Sequence, residues 1–530
     1  MTDQPTTPKV PFKPVAAPAW GRRIDRRVAV AGAIGMVAAL GAGAYALASV
    51  FSGDNPPAAA TASAPVQNAS QGAESTLPAA SNAAPVVSSP TVRSAKQEVA
   101  NLPSGMALVS SPRLPLFGIG ERDLPGLLNG QTADWLEAGA PQQLAVTPVA
   151  LASDVPDGMT PAQTFNSYDE LAEFLAQTPG AVAMIPTDQV DFRANVLAVE
   201  GYDPVRNSDG VMRVAFIGDI VPGRNVDAKI RHYGEDWVRP FRKIAPELLS
   251  YSAVIANLEG NVSPNIAPPT DPHTFSFVSD PKFIEGLVYA GIDAVSLANN
   301  HSVWNSDGWG LSAFNDTVAA LDSYSIPHFG AGDNLGVASA PWVLEMNGIR
   351  VAIYGVDGVT ANKEQTQGVL SDYVGASENG AGTNPYNTGQ FTSDIAYLAG
   401  QYDVVIPYFH MGVEYIPVAP NWAIEGARAA IDAGATMVVT NHPHLIQGME
   451  VYNGKPIVYS VGNFVFDQMF SNEVRTGTIL EIVLQNGRIV GLRPKGVEIE
   501  DFHQPRLMTT GEQAGLMDRF WDSSDIVSQQ

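Results

Sequence analysis

The chain has 530 residues, enough for two to four domains with buried cores. Its 30 Lys and Arg stand against 54 Asp and Glu, and the net charge of −24 repels a phosphate backbone, which sets nucleic acid aside as a partner. There is no cysteine, so disulfides, thiol nucleophiles and Cys-ligated zinc or iron–sulfur clusters are excluded, and His, Asp, Glu and Asn remain as ligands.

The N-terminal residues 1–27 form a basic tail with six basic and two acidic side chains, leaving 24 basic against 52 acidic, net −28, in the remainder. Residues 28–51 carry no charge. At about 1.5 Å per residue they are long enough to cross a hydrocarbon core of about 30 Å. Arg22, Arg23, Arg26 and Arg27 precede this segment and favour a cytoplasmic N-terminus. The expectation is a single-pass transmembrane anchor in the cell membrane with everything after it extracytoplasmic; a cleaved export signal of the twin-arginine kind is the alternative. Residues 52–99 collapse to Ala, Ser, Pro, Thr, Asn and Gln, a composition too poor in apolar area to offset chain entropy, and are expected to be a disordered linker.

A small α/β domain of unknown role is expected over 100–208. Within it, Ser167 to Glu170 has the spacing of a capping box opening a helix over Tyr168 to Gln177, followed by a short apolar strand over Ala181 to Ile185. The run "YDELAEFLAQTPGAVAMIP" resembles a lobe of periplasmic solute-binding proteins.

From Met212 onward, apolar runs suited to buried parallel strands alternate with helical segments, which predicts an α/β domain over 209–505. In open α/β sheets the ligand site lies beyond the carboxyl ends of the strands. Five runs end in chemistry: "VAFIGD" at Asp219, "AVIANLE" at Glu259, "AVSLANNH" at Asn300 and His301, "VVIPYFH" at His410, and "MVVTNHPH" at His442 and His444. Taken singly, each has a plain structural reading, since an Asp after a strand commonly caps a helix and a lone buried His commonly satisfies a core hydrogen bond. Jointly, carboxylate, amide and imidazole groups on one rim make a ligand set for one or two divalent transition metals, Mn, Zn or Fe; Mg and Ca prefer all-oxygen shells. In an extended His442-Pro443-His444 the two imidazoles point the same way.

These runs also carry a resemblance. "FIGDIVPGR", "NLEG", "LANNH" with Asp307, "HMGVEY" and "NHPHLIQGMEVYNGKPIVYSVGNFVFDQ" are similar to the CapA-type poly-γ-glutamate capsule-synthesis proteins, a family similar in turn to the calcineurin-like metallophosphoesterases. The likeness spans roughly residues 212–470. It implies a four-layer α/β/β/α sandwich with Asp219, Glu259, Asn300, His410, His442 and His444 as metal ligands. It also implies His301 as the histidine that assists the leaving group, with Arg224 able to hold an anionic substrate group. One departure bears on the chemistry: metallophosphoesterases carry a ligand His two residues after the first Asp, where this chain has Val221, and Glu259 stands where they usually have Asp.

A two-metal centre would hydrolyse phosphoesters with His301 as general acid, and a one-metal centre would give a peptidase-like (amidase) or transferase role on poly-γ-glutamate. The implied partners are an anionic polymer, the membrane through the N-terminal helix, and capsule-synthesis membrane proteins. The alternative in a different class is a non-catalytic polymer-binding or export subunit.

Of the remaining features, Asn347-Gly348, Asn453-Gly454 and Asn486-Gly487 lie between apolar runs and predict hairpin turns. Glu414 and Tyr415 follow His410 closely enough for Glu414 to serve catalysis by fixing an imidazole, and Asn463 and Asp467 combine site support with turn structure. Gly218 and Gly223 permit close backbone approach. Residues 506–530 are a C-terminal tail with no evident chemistry. The topology is checked by protease treatment of intact cells: the C-terminal part should be digested without lysis, and digestion only after lysis contradicts the expected orientation.

Overall fold

The computed structural model describes residues 102–269, 271, 274–303, 309–361 and 374–530. The expected span 28–51, the linker 52–99 and Asp307 lie outside the described residues. Among the described residues no helix is long and apolar enough to cross a membrane.

A five-stranded sheet comes first, in the order Gln163–Phe165, Thr147–Leu151, Ala181–Pro186, Met106–Ser110, Asn195–Val196. The helix Tyr168–Gln177 packs Leu171, Ala172 and Leu175 inward. Its start is the expected Ser167, whose hydroxyl accepts from the Glu170 N–H at 3.3 Å, while the Glu170 carboxylate reaches one residue further back, to the Asn166 N–H at 3.0 Å. Both satisfy amides that the first helical turn leaves orphaned.

Two larger sheets follow. The first has the order His328–Phe329, Ala294–Ser296, Ala253–Leu258, Met212–Ile220, Thr476–Gln485, Arg488–Glu500, Gln504–Leu507, with Asn463–Val465 also pairing with Met212–Ile220. The second has the order Trp342–Met346, Ile349–Asp357, Val404–His410, Val438–Asn441, Lys455–Val461, Ile446–Tyr452. Each contains a run of four parallel strands, continued by antiparallel strands on one side in the first sheet and on both sides in the second. The parallel strands are buried on both faces, and their side chains alternate accordingly. In Met212–Ile220, Val214 and Phe216 pack toward the second sheet, while Ala215 and Ile217 pack toward helices Asn225–His232, Phe283–Ala290 and Gly310–Ser323. In Val404–His410, Val404, Ile406 and Tyr408 face the first sheet, while Val405 and Phe409 face helices Thr388–Ala399 and Asn421–Asp432. The result is a multi-layer α/β arrangement with sheet packed on sheet and helices on both outer faces.

All three Asn-Gly pairs sit in two-residue turns, joining Met346 to Ile349, Tyr452 to Lys455 and Gln485 to Arg488. Both residues of each pair have positive φ, between 49° and 77°. That is the mirror-type turn that matches the twist of a hairpin. The C-terminal segment differs from the expected tail: Thr510–Val527 is an 18-residue helix opened by a reciprocal Thr509/Glu512 capping box. Ser523 and Ser524 hydroxyls accept from the Gly448 and Met449 N–H groups at 3.0 and 2.9 Å, so the helix satisfies amides of the edge strand Ile446–Tyr452. A side chain at Gly448 would strike the Ser524 backbone nitrogen at 2.3 Å.

The small sheet meets the first large sheet through Val483 and Val490, which join its apolar core. Beside them the fully buried carboxylate of Glu481 accepts from Arg206 Nε at 3.2 Å and Arg213 Nε at 2.6 Å, with Lys495 Nζ at 3.8 Å. Burial alone would raise the Glu481 pKa, but Arg206, Lys495 and Arg213 outweigh it and lower it to about 2. Its stabilising contribution is therefore complete above the unfolded carboxyl value of about 4.3 and lost as pH falls through about 2. Glu481→Ala leaves Arg213 without its carboxylate, while Arg206 and Lys495 keep Asp203 and Glu247 at 2.8 and 2.7 Å, and should lower the unfolding free energy by about 3–5 kcal/mol in urea denaturation at neutral pH; a change within experimental error would show that the seam is not held by charge.

Candidate metal centre

Five strand ends of the two large sheets converge. Asp219 lies near the end of Met212–Ile220, Glu259 just past Ala253–Leu258, and Asn300 and His301 in the turn after Ala294–Ser296. From the second sheet, His410 closes Val404–His410, and His442 and His444 follow Val438–Asn441. All seven side chains are buried.

Local backbone features enforce the convergence. The pairing register shifts between Ile217 and Asp219, and at the intervening Gly218 a Cβ would stand 1.8 Å from the Gly462 carbonyl oxygen. Only glycine lets the turn after Lys455–Val461 approach so closely, and there the Asp219 N–H donates to Gly462 O at 3.1 Å. The His-Pro-His segment is not extended, as its spacing suggested. His442 and His444 have φ of 103° and 56°, conformations that L-residues adopt only when the surroundings over-determine them. The folded-back turn still brings both rings inward, 5.9 Å apart, with His442 4.9 Å from the His410 ring.

Three groups of side chains each place their ligand atoms within 4.8 Å of one another: Asp219, Glu259 and His444; Glu259, His410 and His442; Glu414, His442 and His444. Glu259 belongs to two of them. Its Oε1 lies 3.6 Å from His410 Nε2, 3.8 Å from His301 Nε2 and 3.9 Å from His444 Nε2, and neither of its oxygens has a hydrogen bond. Those separations are too long for hydrogen bonds. They match the spacing of about 3–4 Å between ligand atoms that each stand about 2.0–2.2 Å from a shared transition metal. Asp219 Oδ2 and His442 Nδ1 are buried without hydrogen bonds as well. The residues present therefore fit a divalent cation.

The charges agree. Burial, then the negative charge of Asp219, raises the Glu259 pKa. Burial opposes the charged form of His444, but Glu259 and Asp219 outweigh it and carry its pKa to about 10. His410 is raised in the same way, burial being outweighed by Glu259. Burial, then His410 and His444, holds His301 and His442 well below the ordinary value. His301 is thus neutral at rest, and acting as a general acid requires that it first gain a proton during the reaction.

Asparagines hold the imidazoles. His444 Nδ1 is 3.0 Å from Asn463 Oδ1 and 3.3 Å from Asp219 Oδ2, which leaves Nε2 directed at Glu259. Asn257 Nδ2 donates to Asp219 Oδ1 at 2.8 Å and lies 3.2 Å from His410 Nδ1; on the other side, His410 Nε2 is 2.8 Å from Asn300 Oδ1. Asn299 Nδ2 donates to Asn257 Oδ1 at 3.0 Å, and Asn299 Oδ1 accepts from the His301 N–H at 3.0 Å. Asn257 and Asn299 carried no assignment from sequence; the available signal was an amide set inside an otherwise apolar strand end.

Arg224 is placed differently from the expected substrate-facing role. Its guanidinium pairs with Asp467, which also accepts from the Asn225 N–H at 3.1 Å, and it lies over the rings of Phe277 and Phe466 at 4.9 and 5.1 Å. Those rings in turn flank His301 at 4.3 Å and His444 at 5.1 Å. Its charge is committed inside the protein, and its position braces two histidines. Glu414 reaches the cluster from the partly exposed side, as a member of the group with His442 and His444. Exposed aromatic side chains, Phe275 and Phe470, border the region near His301 and Tyr415.

Residues 213–468 match the family described as bacterial capsule synthesis protein PGA_cap. The capsule biosynthesis protein CapA of Bacillus anthracis is 29% identical over 305 residues, covering 56% of this chain and 70% of that protein. The PGA biosynthesis protein CapA of Bacillus subtilis is 28% identical over 285 residues, covering 53% of this chain and 70% of that protein. Among solved structures, a hypothetical protein from Thermus thermophilus aligns over 55% of this chain and 100% of its own, at 18% identity and a TM-score of 0.33.

Asn463 orients a ligand without belonging to any of the three groups, so Asn463→Ala should weaken Mn or Zn binding by about 10–100-fold in calorimetric titration. An unchanged affinity would show that His444 needs no such support.

Proposed function

Because residues 213–468 belong to the PGA_cap family of bacterial capsule synthesis proteins, we propose that this protein acts in the synthesis, release or attachment of an anionic surface polymer as a metal-dependent hydrolase. The observation that carries the reading is the buried Glu259 carboxylate, without hydrogen bonds and faced by three imidazole nitrogens at 3.6–3.9 Å. Asp219, Glu259, Asn300, His410, His442 and His444 are the residues that hold the cation. Membership of Glu259 in two ligand groups supports a pair of neighbouring ions sharing one carboxylate. A bound divalent cation supplies Lewis acidity toward a phosphoryl or amide carbonyl oxygen and toward water.

The chain's own side chains do the rest. His301, neutral and tilted against the Phe277 ring, takes up a proton from the attacking water and returns it to the departing group. Asn257 and Asn299 fix the Asp219 carboxylate and the turn that carries His301. An acidic polymer approaching a chain of net charge −24 needs local positive charge, and with Arg224 paired to Asp467 that charge comes from the metal centre. Poly-γ-glutamate is the polymer in this proposal, on the strength of the likeness to the two Bacillus proteins. The same proposal places 28–51 in the cell membrane, with 100–208 and 209–505 as separate extracytoplasmic domains of a metallophosphoesterase-like protein.

The test is metal analysis of the purified full chain after reconstitution with Mn or Zn, followed by assay on a generic phosphodiester and on poly-γ-glutamate. At least one cation per chain is expected, together with hydrolysis of one of the two substrates that is lost in His442→Ala and His301→Ala. Metal binding without hydrolysis of either would favour the non-catalytic polymer-binding role, and absence of bound metal would remove the hydrolase reading altogether.

A further inference from the structure

Glu414 differs from the rest of the cluster in two respects. It is partly exposed where the other ligand candidates are buried, and it is carried by a loop rather than by a strand end. Its carboxylate nevertheless lies within 4.8 Å of ligand atoms of both His442 and His444. His442 Nδ1 is buried without a hydrogen bond.

The loop holding Glu414 is fixed against the histidine turn. The Tyr415 N–H donates to Pro443 O at 2.9 Å, and the Tyr415 hydroxyl accepts from Gln468 Nε2 at 2.8 Å. The Tyr415 ring lies 6.0 Å from that of His444. A Cβ at Gly412 would meet Pro443 Cγ at 2.9 Å, so the proline ring packs closely on the Gly412 backbone. Tyr415 itself has φ 61°, which makes three residues in left-handed conformations, Tyr415, His442 and His444, at one contact. Strain concentrated in this way is retained where it fixes a functional geometry.

Counting donors points to what that geometry serves. The Glu259, His410 and His442 group has Asn300 beside it, with Oδ1 2.8 Å from His410 Nε2. The Asp219, Glu259 and His444 group has Asn463, but its oxygen is engaged by His444 Nδ1, the ring nitrogen turned away from Glu259. Val221, two residues beyond Asp219, is buried and offers no donor. Four donors are the usual complement of a transition metal held by nitrogen and oxygen ligands.

We infer that Glu414 is a displaceable ligand, closing from the solvent side the shell of a cation held with His442 and His444, and yielding its place to an anionic oxygen group of the substrate. The exchange puts one anionic oxygen ligand in the place of another on the cation. It also couples entry of an acidic group to opening of the centre. This inference rests on the metal-centre reading above.

The experiment is calorimetric titration of the full chain with Mn, then titration of the Mn-loaded protein with glutarate and with inorganic phosphate, for wild type, Glu414→Gln and Glu414→Asp. Glu414→Gln should weaken Mn binding by about tenfold or more, with Glu414→Asp in between. The Mn-loaded Gln variant should bind at least one of the two anions more tightly than wild type, because no carboxylate competes. Preference for glutarate identifies a carboxylate-bearing substrate, and preference for phosphate a phosphoester. Equal Mn affinity in wild type and Glu414→Gln overturns the inference and leaves the metal centre standing. Weaker Mn binding with unchanged anion affinity overturns the displacement. If wild type binds no Mn, the metal-centre reading itself fails. Melting temperatures of the metal-free proteins, expected to agree, separate lost coordination from lost folding.

Discussion

A carboxylate taken out of water loses several kcal/mol of hydration free energy unless hydrogen bonds or an opposite charge replace it. Glu259 is fully buried, accepts no hydrogen bond, and sits beside a second buried carboxylate, Asp219. What surrounds it is a ring of imidazole nitrogens at distances suited to sharing a cation rather than to direct contact. The raised pKa values have local causes: burial and the charge of Asp219 for Glu259, and, for His410 and His444, burial outweighed by the charge of Glu259. Much of the architecture can be understood as what is required to keep this arrangement from relaxing into an ordinary hydrogen-bonded core.

Two sheets, rather than one, supply that rigidity. Asp219, Glu259 and Asn300 come from the first sheet and His410, His442 and His444 from the second, so the two groups that share Glu259 form only where the two sheets meet. The meeting is locked by the close approach at Gly218 and Gly462 and by the amide network of Asn257, Asn299 and Asn463. Left-handed backbone at His442 and His444 is tolerated because strands on either side leave the turn no other path. A looser scaffold would let Glu259 reach a donor, and the separations that suit a cation would close.

Away from the centre, charge is used structurally. Arg224 with Asp467, and Glu481 with Arg206 and Arg213, are pairs in which both partners are largely withdrawn from solvent. The first braces the aromatic rings beside two histidines, and the second joins the small sheet to the large one. Neither leaves its cation free, and Glu414, the ligand candidate nearest solvent, is itself a carboxylate, so positive charge at this face has to come from a cation held by the cluster.

Strand ends, hairpins and ligand types were legible in the sequence because they are local. Burial on both faces writes a continuous apolar run, a mirror-type turn demands Asn-Gly, and a polar side chain immediately after such a run has few other places to go. The C-terminal helix was equally local, in Thr509 and Glu512, but its weakly amphipathic run reads as a tail until the edge strand it covers is known. What the tertiary structure alone decided were matters of direction and partnership. Arg224 faces Asp467 instead of solvent, the His-Pro-His turn folds back instead of extending, and Asn257 and Asn299 support ligands instead of filling a core. Each depends on a partner remote in sequence, 243 residues away for Arg224 and 153 for Asn257 with His410. Composition and periodicity record which groups leave water together, whereas the side chain that meets them is chosen only when the two sheets close.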